Sequence, residues 1–118
     1  MKLLISFGLP IGPVAQHMIQ EALQGEKVVI ICVPQPTTGP LTSRAEAWVS
    51  RARAVAVDWR IDMVVLPELG ALAALILPEL ARQEGRDDPD LPDVVVLKSS
   101  QFALELAEVI PGAMFRTW

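Results

Sequence analysis

One stretch, residues 61–85, limits the folds open to this chain more than any other. It opens with Asp62–Leu66, which is apolar after its first residue, breaks at Pro67–Gly70, and continues as the helix-forming segment Ala71–Leu77. This pattern predicts a buried strand, a tight loop and a helix. Because successive side chains of a strand point to opposite faces, both faces of this strand need cover, which a parallel sheet between helices provides.

The rest of the chain repeats the alternation of strand and helix. Strands are predicted at Lys2–Phe7, Lys27–Val33 and Asp93–Leu97, and helices at Pro13–Gln24, Thr42–Trp59 and Gln101–Glu108. Such alternation implies right-handed crossovers and a mainly parallel sheet of four or more strands, for which the order 2-1-3-4 is expected. We therefore predict an α/β fold, a small Rossmann-like three-layer sandwich, with residues 1–118 as a single ligand-binding domain.

Two helices carry more detailed signals. Ser43 and Glu46 have the spacing of a capping box at the start of the second helix. One apolar stripe of that helix is expected to face the core, formed by Trp48, Ala52, Val55 and Trp59. Pro78 falls inside the third helix and predicts either a kink or the start of a separate short helix.

Composition restricts the function. The net charge of −4 argues against binding to long nucleic acid, because such binding depends on neutralising phosphates. A hydrophobic content of 52% is high for a small monomer, so we expect part of it in the subunit interface of a homo-oligomer, either a homodimer or a larger assembly. The single cysteine, Cys32, lies in the apolar run Val28–Val33 and is expected to be a core thiol in a cytoplasmic protein. Met1–Phe7 fits a first strand better than a signal peptide, and no apolar run has the length of a membrane span.

Three loops are expected at one edge of the sheet, each leading into a helix: Gly8–Gly12, Pro67–Gly70 and Lys98–Gln101. Helix starts offer unpaired N–H groups and a partial positive charge, so together they can hold a phosphate. The strand order reverses between the first and third strands, where open α/β sheets bind ligands. The residues predicted to bind the ligand are Ser6, Phe7, Gly8, Leu9, Pro10, Pro67, Glu68, Leu69, Gly70, Lys98, Ser99 and Ser100.

Other chemistry finds little support in the sequence. His17, the only histidine, lies on the first helix beside Gln16 and Gln20, which indicates a solvated residue. No set of His, Cys, Asp and Glu has metal-ligand spacing, and there is no G-x-G-x-x-G or Walker loop, so no metal, no cofactor and no catalytic residue is predicted. Helix starts alone are equally typical of any small α/β domain.

The chain resembles the small CRISPR-associated proteins of the Csx-fifteen family, which accompany type III systems. The resemblance covers roughly residues 3–97. It rests on the start Leu4–Pro10, on the strand, Pro-x-x-Gly loop and Ala/Leu-rich helix that includes Pro67–Leu80, and on the short apolar strand that follows. The family is similar in fold to Rossmann-like sensors of cyclic oligoadenylates and to ring nucleases.

The resemblance implies a homodimer that holds a cyclic oligoadenylate, such as cyclic tetra-adenylate, across its two-fold axis and so dampens type III signalling. The family likeness also leads us to expect a histidine beside the proline of the first loop, where this chain has Gly8-Leu9-Pro10. Metal-independent cleavage aligns a ribose 2′-hydroxyl on the adjacent phosphodiester and gains from a general base. Sequestration is therefore favoured over cleavage.

Two other functions remain open at this stage. The chain can be a non-catalytic interaction subunit that contacts a partner through Pro36–Pro40 or Met114–Trp118. It can also be an enzyme acting on a mononucleotide or another small phosphate ester through Lys98, with one site per monomer. Ligand stoichiometry separates this second alternative from a ring shared by two copies.

Overall fold

The computed structural model of the protein describes residues 1–57, 59–84, 91–101 and 103–115. The elements in chain order are β1 (Lys2–Phe7), α1 (Pro13–Ala22), β2 (Val28–Val33), α2 (Leu41–Ala56), β3 (Met63–Val65), α3 (Gly70–Glu84), β4 (Asp93–Ser99) and β5 (Leu104–Ile110). A 3₁₀ turn, Gly112–Phe115, follows β5.

The strands form one sheet in the order β2-β1-β3-β4-β5. β1 pairs in parallel with β2 and β3, and β3 pairs in parallel with β4, so the predicted order of the first four strands is confirmed. Their C-terminal ends therefore meet at one edge of the sheet. The arrangement is consistent with a Rossmann-like sandwich.

The fifth strand replaces a predicted helix. Residues from Leu104 to Ile110 form β5, which runs antiparallel to β4, so the helix predicted over Gln101–Glu108 is wrong. The segment is rich in leucine, alanine and glutamate, which favour helix locally. Pairing with β4 and packing of Leu106 and Val109 in the cluster beneath α1 outweigh that preference.

Side chains from the two faces of the sheet form two separate cores. On one face, Leu3, Ile5 and Phe7 pack with buried residues of α2 and α3. On the other, Leu4 and Met63 pack with Ile19 of α1. The alternation along β1 thus places helices on both sides, which is the three-layer arrangement that the apolar strands predicted.

Helix α2 buries two of the four residues predicted to face the core, Trp48 and Ala52. Its buried residues are Ala45, Trp48, Val49, Ala52 and Ala56. Val55 and Trp59 are 47% and 51% exposed, since the buried stripe is rotated away from Val55 and the helix ends before Trp59. The capping box is also wrong, because the helix starts at Leu41 with Pro40 as N-cap and no side-chain cap.

Helix α3 runs unbroken from Gly70 through Pro78 to Glu84, so Pro78 does not open a separate helix.

Cys32 is exposed rather than a core thiol, because β2 lies at the sheet edge and α1 packs mainly across β5. Among the described ranges, no helix combines the length and apolar character needed to cross a membrane.

Candidate functional site

A crevice opens at the edge of the sheet where β1, β2 and β3 end. It encloses about 280 Å³ and lies between the loops that follow these three strands. Its lining residues are Phe7, Gly8, Leu9, Gln35, Trp48, Pro67, Glu68 and Leu69. We call this cavity the switch-point crevice, because the chain order of the strands reverses between β1 and β3.

Trp48 of α2 forms the floor of the switch-point crevice. Its side chain is fully buried, its Nε1 donates a hydrogen bond to the Val33 carbonyl oxygen at 2.8 Å, and its ring meets Phe7 edge to face at 5.4 Å. Gly8 lies directly above with φ of +87°, a conformation that L side chains rarely adopt. The first loop can therefore lie close to the indole only with glycine at this position.

The buried hydroxyl of Ser6 fixes the same loop from below. Its Oγ donates to the Leu9 carbonyl oxygen, and the Gly8 N–H donates to the Ser6 carbonyl oxygen at 3.1 Å. Ser6 is completely buried and its hydroxyl is engaged by the loop, so the observed role of this side chain is to support the loop. A direct contact of Ser6 with a ligand stays a prediction.

Two helices start beside the crevice. α1 has Gly12 as N-cap with no side-chain cap, and Pro13 opens its first turn. α3 starts at Gly70, and the Leu69 carbonyl oxygen accepts the N–H of Ala73. The first N–H groups of a helix have no acceptor within it, so both starts offer donors and a partial positive charge to an anion.

The third predicted helix start does not exist. Lys98 and Ser99 lie in β4, with Lys98 directly opposite Glu105 of β5. The Ser100 hydroxyl donates to the Ala103 carbonyl oxygen at 2.8 Å and accepts the Ala103 N–H at 3.2 Å, so it closes the turn of the hairpin. None of these three residues lines the crevice.

The β4–β5 hairpin extends past the rest of the sheet on this side. Val64 of β3 pairs with Val94 of β4, so residues 96–99 of β4 continue beyond the last residue of β3. At about 3.3 Å per residue, the overhang measures roughly 13 Å. Lys98 lies on this overhang, on the same face of the sheet as Val94.

The structure thus brings together half of the expected site. Phe7, Gly8 and Leu9 meet Pro67, Glu68 and Leu69 around one cavity. Pro10 and Gly70 follow these loops without lining the cavity. Two lining residues, Gln35 and Trp48, were not predicted. Gln35 could have been found from the sequence, because it follows a parallel strand and so reaches the same edge of the sheet. The position of Trp48 could not, because it depends on how α2 packs.

The crevice contains few groups that titrate. Glu68 is the only charged side chain among its lining residues, and it is exposed. His17 is outside the crevice, on α1, where its Nε2 lies 3.0 Å from Glu21 Oε1. Over the described part of the chain, no group of three or more His, Cys, Asp and Glu residues could hold a metal ion. A ligand here would meet the polar side chains of Gln35 and Glu68, the main chain of the loops and the apolar side chains of Phe7, Leu9 and Leu69.

Comparison with known proteins gives no match to this chain among protein-family models, curated proteins or solved structures.

Proposed function

We propose that this chain is a Rossmann-like domain that binds a cyclic oligoadenylate, such as cyclic tetra-adenylate, in the switch-point crevice. In this proposal it is a cytoplasmic homodimer of the Csx-fifteen type that sequesters the messenger and dampens type III CRISPR signalling. The observation that carries the proposal is the crevice itself, formed by the loops after β1, β2 and β3 where the strand order reverses. Ligands of open α/β sheets bind at this point.

The size of the crevice favours one nucleotide unit of the ring per chain. About 280 Å³ lies just below the range of volumes of small-molecule sites, roughly 300–1,000 Å³. A whole ring therefore needs two crevices, which two copies supply. Its phosphates would meet the N–H groups at the starts of α1 and α3, and Glu68 would accept a hydrogen bond from an adenine amino group or a ribose hydroxyl.

Holding is favoured over cutting by the residues around the crevice. Attack of a ribose 2′-hydroxyl is accelerated by a general base and by a donor to the developing charge. The lining residues include no histidine and no lysine, and Glu68 is their only titratable side chain. Slow cleavage would then depend on alignment of the bound ring alone.

Calorimetry with cyclic tetra-adenylate tests binding, with linear tetra-adenylate as the control for charge and base composition. We expect heat with the cyclic ligand and a stoichiometry of one ring per two chains. No heat at micromolar protein overturns the proposal, and one ligand per chain favours the mononucleotide alternative. Incubation with excess protein, followed by chromatography, separates holding from cutting: linear products indicate cleavage.

A second candidate function, a non-catalytic interaction subunit, is favoured by one observation. A groove of about 720 Å³ lies beside α3 and is lined by Leu66, Ala73, Ala74, Leu77, Pro78, Ala81, Leu91 and Phe115. The groove borders the tail Met114–Trp118, of which residues 116–118 lie outside the described residues. Ala74→Arg would disturb partner binding here and leave the crevice unchanged. Ring binding by this variant, with loss of a captured protein, would assign the two functions to separate surfaces.

A further inference from the structure

We propose that the outer edge of β2 pairs with β2 of a second copy of this chain. The two strands run antiparallel about a two-fold axis at Ile30 and join two five-stranded sheets into one. This proposal goes beyond ring binding, because it concerns a surface that the ligand does not use and a contact that forms without it.

The hydrogen bonds between β1 and β2 show which main-chain groups are free at this edge. The Lys2 N–H donates to the Lys27 carbonyl oxygen at 2.9 Å, and Lys2 lies opposite Val28 in the parallel register. In such a ladder alternate residues direct both polar groups to the neighbouring strand. Residues 27, 29, 31 and 33 therefore face β1, and Val28, Ile30 and Cys32 direct their N–H and C=O groups outward.

No hydrogen bond within the described ranges reaches these outward groups of β2. Two copies satisfy all of them in a single register. With Ile30 opposite the partner's Ile30, Val28 lies opposite the partner's Cys32, and Cys32 opposite the partner's Val28. Each of these is a hydrogen-bonded pair of an antiparallel ladder. A shift by two residues leaves one outward residue of each strand without a pair.

Charge distinguishes the two open edges of the sheet. β5, at the far edge, carries Glu105 and Glu108, which oppose pairing between copies of a chain with a net charge of −4. The β2 sequence, from Val28 to Val33, contains no charged residue and no proline. Edge strands that stay unpaired usually carry charged residues or proline, which prevent pairing with another strand. A second copy, rather than an acidic or basic partner, is therefore the matching occupant of the β2 edge.

Apolar side chains on both faces add to this match. Val29, Ile30 and Ile31 are only partly buried, and Cys32 is exposed. α1 packs mainly across β5, so the sheet face around Cys32 has little helix cover. Pairing two β2 strands removes part of this surface from water, which stabilises the dimer together with the new main-chain hydrogen bonds.

The β2 dimer is independent of ligand. Because the two strands run in opposite directions, the two switch-point crevices lie at opposite ends of the joined sheet, and each stays open. The two chains that share one ring in the proposed function therefore belong to different β2 dimers. Oligomeric state without ligand therefore tests this interface alone, and calorimetry with the ring tests the crevice alone.

Sedimentation of the ligand-free chain under reducing conditions is the first measurement. We expect a dimer, twice the chain mass of 12.8 kDa. Cys32→Pro removes one outward N–H from each copy without removing buried apolar contact, and should weaken the dimer at least tenfold. Cys32→Ser is the matched control and should remain dimeric, and thermal unfolding verifies that both variants fold. A monomeric wild-type chain overturns the proposal.

Cross-linking tests the register. In Cys32→Ser chains, Ile30→Cys puts two thiols in a hydrogen-bonded pair whose Cα atoms lie about 5.5 Å apart, within disulfide range. Ile31→Cys in the same background leaves the thiols a two-residue diagonal apart, beyond the roughly 7 Å limit. We expect oxidised dimer from the first variant and little from the second. Equal cross-linking of both, or of neither, overturns the proposed register.

Discussion

The indole ring of Trp48 lies so close to Gly8 that a Cβ atom at Gly8 would meet its Cζ2 at 3.1 Å and its Cη2 at 3.3 Å. Gly8 also has φ of +87°. The close approach of the first loop to the floor of the crevice therefore depends on the glycine at this position.

Gly8→Ala should therefore destabilise the protein and weaken ring binding. We expect a loss of about 2–3 kcal/mol in the free energy of unfolding, from the left-handed backbone and the contact with Trp48 together. Gly39→Ala separates the two causes, because Gly39 has φ of +96° with nothing within 4 Å of the added atom. That control should lose only about 1–2 kcal/mol. Urea unfolding measures both, and equal losses would contradict a role for the indole.

Gly112→Ala should be more damaging than its exposed neighbours suggest. A Cβ there would lie 2.0 Å from the Leu91 carbonyl oxygen, and the Gly112 N–H donates to Asp93 Oδ1 at 2.8 Å. Moving the segment aside breaks that hydrogen bond, so we expect a loss of about 3 kcal/mol in unfolding free energy. Gly70→Ala, which meets nothing within 4 Å, should change it by less than about 1 kcal/mol. Similar losses in both variants would argue against the close approach.

Val57→Gly should stabilise the protein. Val57 follows α2 with φ of 55° and ψ of −114°, a conformation that suits glycine and disfavours a β-branched residue, and its side chain is 75% exposed. We expect a gain of about 1 kcal/mol in thermal unfolding experiments. Val55→Gly, inside the same helix, should instead lose about 0.5–1 kcal/mol. A lower melting temperature for Val57→Gly would contradict the observed backbone.

Glu68→Gln should tighten binding of the cyclic oligoadenylate. The carboxylate of Glu68 is the only charged group that lines the crevice, and it would repel the phosphates of a bound ring. The glutamine side chain of the variant keeps an oxygen that can accept a hydrogen bond. Loss of one like charge near the surface corresponds to about 1 kcal/mol, roughly fivefold in Kd. The gain should shrink at high salt, because exposed charges are screened. Calorimetry at two salt concentrations measures it, and unchanged affinity at low salt would place the phosphates away from Glu68.

Glu79→Gln should lower stability at neutral pH and lose its effect in acid. The hydrogen bond from the Arg82 guanidinium to Glu79, 2.6 Å long, holds the pKa of Glu79 below the usual value of a glutamate. A carboxylate whose pKa is lowered on folding stabilises the protein above its unfolded pKa, and this contribution disappears as the pH falls through the folded pKa. Unfolding curves of the two proteins should therefore differ at pH 7 and converge below about pH 4.

The alternation of apolar strands and helices was sufficient to predict the parallel part of the sheet. The order of β1 to β4 and the meeting of the loops after Phe7 and Val65 follow from chirality and from burial of both strand faces. A helix was predicted over Gln101–Glu108, where the structure has β5 from Leu104, because local preference does not register that the edge of β4 is free to pair. The exposure of Cys32 depends on the direction in which α1 crosses the sheet, and this is decided by tertiary packing.

The overhanging hairpin makes the two sides of this sheet edge unequal, although none of its described residues lines the crevice. β4 continues past the end of β3, whereas β2 and β1 stop level with each other at Val33 and Phe7. A ring bound as proposed would extend beyond the crevice, with the hairpin on the β3 side and the loop after β2 on the other. Its two sides would then meet unequal surroundings, so modifications that protrude toward Lys98 and those that protrude toward Gln35 should be tolerated to different extents.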